Sequence, residues 1–457
     1  MANARSWARK TFGDAQLGDE RRTSRLVELA AGVSRKPCGR LTRVFTDGAQ
    51  REAAFRFVEN DAVEARQVAL ASHRATARGC SGASLVYVGL DQTSLSLVDR
   101  QGTKFGRVGP KDTRRRGVLA MSGLAVDLQG TTLGTVALEY WVRPDEHCPR
   151  WKQDKRPAEE RESHLWRRAI QSAVAVMGEH AAQCKPWFQL DRGGDFGDVL
   201  SLACEQNLLI TVRANHNRAL GSQYKNRLWQ CMTAQPVLGQ MTVALPARGG
   251  KPARIARLSV RAKKIPFQVA PATKQRRSRP VELTAVYVSE SKGPKDGIEW
   301  MLWTTYPVKT TADALHVVKA YTMRWRIEDF HRAWKSGHCD IETSQLRSVD
   351  ALQRWGAITA AVAARAEHLK LRSRTEPDVS AETELSRHEI DAAIILSGTK
   401  KHRRGDSLTL HEVVDLIARA GGYIGKSSGG PPGTMTISRG LDRIDAAAMA
   451  LAAVRCG

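Results

Sequence analysis

Several things are missing from this chain of 457 residues, and each absence closes a class of function. No apolar run approaches the roughly 18 residues of a membrane-crossing helix. The opening residues, MANARSWARKTFGD, lack the apolar core of a secretory signal, so a cytoplasmic protein is expected. The eight cysteines, at 38, 80, 148, 184, 204, 231, 339 and 456, never pair as CxxC, which argues against a zinc ribbon or a disulfide framework. Buried free thiols are expected instead. Acid is scarce: 47 Asp and Glu stand against 71 Lys and Arg, a net charge of +24. The basic surplus runs along the whole chain rather than in a tail, which implies a polyanionic partner, nucleic acid first. The hydrophobic content of 42% is ample for a large core in two or three domains.

What is present divides into three. Residues 1–75 read as short basic helices. LGDERRTSRLVELAAGV sets Leu26, Leu29 and Val33 on one side, with Arg21, Arg22 and Arg25 at its start, and DGAQREAAFRFVEND repeats the idea with Ala54, Phe55 and Val58. From residue 84 the period shifts to strands: SLVYVGLDQTSLSLVD, then GVLAMSGLAVDLQGTTLGTVALEYWVRP as two strands about the turn DLQGTT. A helix from Glu159 to His180 carries the stripe Trp166, Ile170, Val174 and Met177. WFQLDRGGDF and NLLITVRAN follow as further strands, an order that signals a mixed α/β sheet. Residues 220–310 read as a β-rich insertion with the basic loop PATKQRRSRP, and residues 350–450 as Ala- and Leu-rich helices broken by GTKKHRRGDS and GKSSGGPPGT.

Three carboxylates stand out. Acid in or at the end of an apolar strand is costly unless it is paired or metal-bound. Asp91 lies within one strand pattern and Asp191 at the end of another. Asp195, four residues on, reads best as the N-cap of the following helix. Glu328 lies in YTMRWRIEDFHRAWKSGH, residues 321–338. Turned as a helix, that segment buries Met323, Ile327, Phe330 and Trp334, and brings Tyr321, Arg324, Glu328 and Lys335 within roughly 60° of one another. Taken alone, Arg324 and Glu328 are a surface pair worth a few tenths of a kcal/mol. Taken with Asp91 and Asp191, Glu328 completes the oxygen-ligand set that Mg²⁺ requires. Two such ions about 3.5–4 Å apart serve phosphoryl transfer, and the adjacent cations would hold a strand's phosphates.

The order Tyr321, Arg324, Glu328, Lys335 resembles the signature of bacterial DDE transposases of the insertion-sequence-four family, with the transposon-five branch nearest in pattern. LGDERRTSRLVELAA, LDQTSLS, EYWVRPDE and IARAGGYIG resemble it too, in the same order. The resemblance implies a ribonuclease-H-like α/β core (76–370) between an N-terminal DNA-binding domain (1–75) and a C-terminal dimerisation domain (371–457). It implies that Asp91, Asp191 and Glu328 bind a pair of Mg²⁺ ions, replaceable by Mn²⁺, and that Arg22 and Arg25 contact the transposon end. It further implies that Trp300 stacks on a flipped base, with Trp303 the alternative, and that Arg213 helps hold that strand. The activity implied is cut-and-paste transposition through a DNA hairpin by a homodimer at the nucleoid, on double-stranded transposon ends and target DNA. A nuclease without strand transfer, and a non-catalytic repressor derived from a transposase, are the alternatives. The insertion interior and the stretch 375–400 match the family pattern only loosely.

Overall fold

The computed structural model describes residues 2–109, 115–144, 157–220, 227–245, 252–269, 279–291, 297–425 and 430–454. The loop at 271–278, Cys148 and Cys456 lie outside them, as does part of GKSSGGPPGT. Five helices come first: α1 (Ala2–Phe12), α2 (Glu20–Arg35), α3 (Leu41–Val44), α4 (Gly48–Val58) and α5 (Ala65–Cys80). Asp19 caps α2 by accepting from the Arg21 amide, and Leu26, Leu29 and Val33 turn inward as their spacing requires.

The core then runs β1 (Leu85–Leu97), β2 (Gly106–Arg107), β3 (Arg116–Val126), β4 (Thr132–Trp141), α6 (His164–His180), β5 (Lys185–Leu190), α7 (Gly197–Glu205) and β6 (Leu209–Arg213). After α8 (Leu228–Thr233) come β7 (Gly239–Leu245), β8 (Arg254–Val269), β9 (Arg279–Glu290) and β10 (Glu299–Thr304). The strands form one sheet in the order β2-β3-β1-β5-β6-β10-β9-β8-β7, with β4 also pairing β3, beside β2 on the edge away from β1. β1, β5 and β6 are parallel, and β1, β3 and β4 antiparallel. The order β4-β3-β1-β5-β6 is a ribonuclease-H-like core. The β-rich insertion is not a separate sheet, because β10 pairs with β6 and so extends the same one.

Successive β1 side chains serve opposite faces. Val86, Val88 and Leu90 pack with Leu165, Trp166 and Ile170 of α6. Tyr87 faces the other layer, formed by α9 (Thr311–Met323), α10 (Trp325–Lys335) and α11 (Val349–Thr375). The signature segment is thus two helices rather than one. They meet at Arg324, whose N–H reaches the Tyr321 carbonyl at 3.2 Å in a tightened turn. Ile327, Phe330 and Trp334 are fully buried as their stripe predicts, while Met323 is only partly so.

The 27-residue α11 ties the chain together. Arg354 donates to the carbonyls of Val58 and Val63, and Trp355 to that of Gly39. The last helices, α12 (Arg387–Ser397), α13 (Leu410–Ala420) and α14 (Thr434–Val454), close their own apolar core around Ile390, Val413, Ile417 and Ile437. The expected divisions at 75/76 and 370/371 fall inside α5 and α11. Cys38, Cys80, Cys184, Cys231 and Cys339 are buried free thiols. No helix among the described residues is long and apolar enough to cross a membrane.

Candidate active site

Register brings the first two carboxylates together. Leu90 of β1 pairs with Leu190 of the parallel β5, so Asp91 and Asp191 follow at neighbouring positions on strands about 4.8 Å apart. Asp91 Oδ1 accepts from the Gln92 amide at 2.9 Å. Asp191 ends its strand by capping a single turn, its Oδ1 accepting from the Gly193 amide at 2.7 Å. Glu328 comes from the first turn of α10, which lies over β1. A Cβ on Gly89 would stand 3.6 Å from both the Arg324 carbonyl and Ile327 Cβ, at ordinary contact distance, which shows how directly the helix start lies on β1.

Between the carboxylates stands Arg324. Its Nη1 lies 3.3 Å from Asp91 Oδ2 and its Nη2 2.9 Å from Glu328 Oε1. Burial pushes the Asp91 carboxyl up to about 7. Arg324 opposes that rise, and the negative charges of Asp191 and Glu328 reinforce it. Mutual repulsion among three acids at one point calls for more positive charge than one guanidinium. The donor set is hard oxygen, which suits a divalent cation. Among the described residues no three acid, His or Cys side chains already close around an ion position. Arg324 bridges two of the three acids, Asp91 and Glu328.

Of the other expected residues, several gather here. Tyr321 is buried beside both Arg213 and Arg324, its phenol held above the ordinary range chiefly by burial. Its ring meets Trp300 edge-on at 5.3 Å. Arg213 donates to the Glu299 carbonyl, and burial lowers its affinity for the proton. Lys335 stands farther along α10, 3.8 Å from Glu342, which also accepts from the Ser96 amide.

One expectation needs correction. Asp195 does not cap the following helix, whose N-cap is Phe196. Its buried carboxylate instead accepts from the Asn215 amide at 2.8 Å, Arg218 at 2.6 Å and Trp303 Nε1 at 3.0 Å. Trp303 is therefore a fully buried anchor, and Trp300, 7% exposed, packs against Tyr321. Arg22 donates to the Leu17 and Ala62 carbonyls at 2.9 and 3.2 Å. Arg25 is exposed and pairs with Glu28.

Sequence reasoning missed the opposite wall. A cleft of about 400 Å³ is lined by Asp91, Asp191, Gln92, Arg143, Glu162 and Trp166, among others. Arg143 grips Glu162 through two bonds of 2.7 and 2.9 Å, and Gln92 donates to the same carboxylate at 2.8 Å. Burial alone would raise the Glu162 carboxyl, but Arg143 and Gln92 hold it below its usual value. Arg143 lies in EYWVRPDE, so the motif carried a signal. Glu162 carried none. His331, one turn past Glu328, bonds Ser122 at 2.6 Å, directly opposite Asp91 on β3. Burial drives its pKa down to about 3, so this tie between α10 and the sheet is made by a neutral ring.

Three stretches of the chain match known families. Residues 4–63 match Transposase DNA-binding, residues 143–364 the Transposase DDE domain, and residues 361–455 the Transposase Tn5 dimerisation domain. The middle match spans Asp191 and Glu328, and Asp91 lies ahead of it. With a ribonuclease-H-like core carrying clustered acids, these matches define a DDE-type DNA transposase, a DNA-binding, dimer-forming enzyme of a class that uses divalent metal. Within that class the chain is related to the transposase of Tn5. Among solved structures, the piggyBac transposase synaptic complex with hairpin DNA is similar at 9% identity and a TM-score of 0.39, over 97% of this chain and 85% of that one. That likeness is too distant to inform the site.

Proposed function

We propose that the protein is a cut-and-paste transposase of the insertion-sequence-four type, with Asp91, Asp191 and Glu328 as its metal-binding triad. The observation that carries this is the β1–β5 register, which sets Asp91 beside Asp191 beneath a helix bearing Glu328. Two Mg²⁺ ions bound there, or Mn²⁺ in their place, would activate an attacking oxygen and stabilise a leaving one. The chain's own residues do the rest. Arg324, Arg213, Lys335 and Tyr321 hold the DNA backbone. In each subunit of a dimer, Arg25 and its neighbours on α2 engage one transposon end. Water nicks one strand, the freed 3′-hydroxyl attacks the opposite strand to form a hairpin, and a second water reopens it. The 3′-hydroxyl then attacks target DNA, in the cytoplasm at the nucleoid. For Trp300 to stack on an extruded base, its ring has to leave Tyr321.

The test uses the DNA flanking the coding region, where paired inverted repeats are expected. Incubated with that DNA, a target plasmid and Mg²⁺, the protein should excise the segment and join its 3′ ends to the plasmid. Asp91→Ala, Asp191→Ala and Glu328→Ala should bind the ends, since binding rests on phosphate and base contacts, yet not cut them. Cutting under complete chelation of divalent ions would refute the mechanism, and near-normal cutting by one variant would remove that residue from the triad.

A further inference from the structure

The state of Arg324 points beyond phosphate holding. Its guanidinium is almost buried, at 10% side-chain exposure, and bridges Asp91 and Glu328. A divalent ion takes carboxylate oxygens at about 2.0–2.1 Å for Mg²⁺. It and the guanidinium cannot share the gap between the same two acids without strong repulsion. Arg324 is therefore a competitor of the metal as long as it stays there.

The fold also offers it somewhere to go. Arg324 Nε is buried without a hydrogen-bond partner, and so is Nε of Arg213, which also neighbours Tyr321. Arg192, exposed just after Asp191, adds to the positive field that Arg213 feels from Arg324. Three guanidinium groups thus share one positive field, and a DNA phosphate bound there would give Arg213 and Arg324 an anionic partner. Arg324 sits at the junction of α9 and α10, outside the span of either helix, so its side chain is not locked into an interior stripe.

Resting on the reading of the triad above, we infer that Arg324 is exchanged between the catalytic carboxylates and the DNA backbone, so that phosphate binding opens the triad to divalent metal. In the DNA-free protein it keeps Asp91 and Glu328 assembled and neutralised. On DNA it turns toward the phosphate, and the acids are released as ligands. Metal binding and DNA binding are then positively coupled through one side chain, and by linkage the coupling is reciprocal.

The experiment measures Mn²⁺ binding to the full chain by the electron paramagnetic signal of free Mn²⁺, with and without a random-sequence duplex. Wild type should bind Mn²⁺ at least about tenfold more tightly with the duplex, as expected when a competing cation at ion-pair distance is removed. Arg324→Gln should bind Mn²⁺ tightly without DNA, and the duplex should add little. A variant no tighter than wild type without DNA, or one that keeps the full duplex effect, would overturn the inference. In wild type, Ca²⁺ should tighten duplex binding by the factor that the duplex tightens Ca²⁺, and independent binding there also overturns it, whether or not Arg324→Gln folds. Asp91→Asn separates the two readings. If it leaves Mn²⁺ affinity untouched, the metal is not at the triad and the proposed site itself fails.

Discussion

Asp191 and Asp195 stand four residues apart on the same corner, and substitution should separate them completely. The Asp195 side chain is 1% exposed and answers four donors: the Asn215 and His216 amides, Arg218 Nη2 and Trp303 Nε1. Asp195→Ala leaves a buried indole N–H without an acceptor, frees two loop amides and strips Arg218 of its counter-charge. Breaking a buried ionic network from one side costs about 3–5 kcal/mol. Asp195→Asn keeps one oxygen acceptor but loses the charge, and should fall at roughly half that loss, since a hydrogen bond to a charged group is worth about 1.5–3 kcal/mol. Asp191→Asn retains the oxygen that accepts from Gly193 and should cost under about 1 kcal/mol. Urea unfolding followed by tryptophan fluorescence reads the stabilities, and end cleavage reads the chemistry. Asp191→Asn should be stable and inactive. Asp195→Ala should be unstable, with whatever folds still binding metal. If Asp195→Ala unfolds within about 1 kcal/mol of wild type, or Asp191→Asn loses as much as Asp195→Ala, the assignment of one acid to chemistry and the other to the fold is wrong.

Other outcomes follow from the same contacts. Asp91, with its carboxyl pushed up to about 7, disfavours its charged form in the fold; such an acid contributes stability that is full below its unfolded pKa near 4 and is lost as pH rises through the folded value. Metal-free wild type should therefore lose stability relative to Asp91→Asn between about pH 4 and pH 7, and Mg²⁺ should shrink that loss; a flat difference in melting temperature across the window refutes it. Arg22→Ala should cost stability, about 1–3 kcal/mol, because its two carbonyl partners lose their donor. Arg25→Ala should leave melting nearly unchanged and weaken end binding, since its exposed pair with Glu28 is worth about 0–1 kcal/mol; the reverse pattern in melting and gel-shift assays would sink the distinction. Trp300→Ala should lower stability by about 3 kcal/mol or more, as a core tryptophan does. Trp300→Phe keeps a ring against Tyr321 and is the variant to follow on pre-nicked ends; a wild-type melt for Trp300→Ala would return the ring to the surface.

Periodicity alone carried much of this protein. Strand patterns with an acid inside or at the end marked Asp91 and Asp191, because an uncompensated carboxylate among apolar neighbours is too costly to be incidental. The spacing of Tyr321, Arg324, Glu328 and Lys335 marked the helix face, and the apolar stripe of Ile327, Phe330 and Trp334 marked what lies under it. These signals are local, set by the repeat of a strand or a helix over a few residues. What depended on partners distant in the chain was decided only by the tertiary structure. Asp195 looked like a helix cap because its partner Trp303 lies 108 positions away. Arg22 holds the Ala62 carbonyl, 40 positions away, a tie no local pattern announces. The signature segment read as one helix, and its break at Arg324 emerges where that residue is drawn down to an aspartate 233 positions earlier. Arg143 and Glu162 entered the cleft through a pairing that neither residue's neighbours announce. Side-chain hydrogen bonds and ion pairs have no period, so a single sequence shows which residues can form them but not which partner the fold will supply.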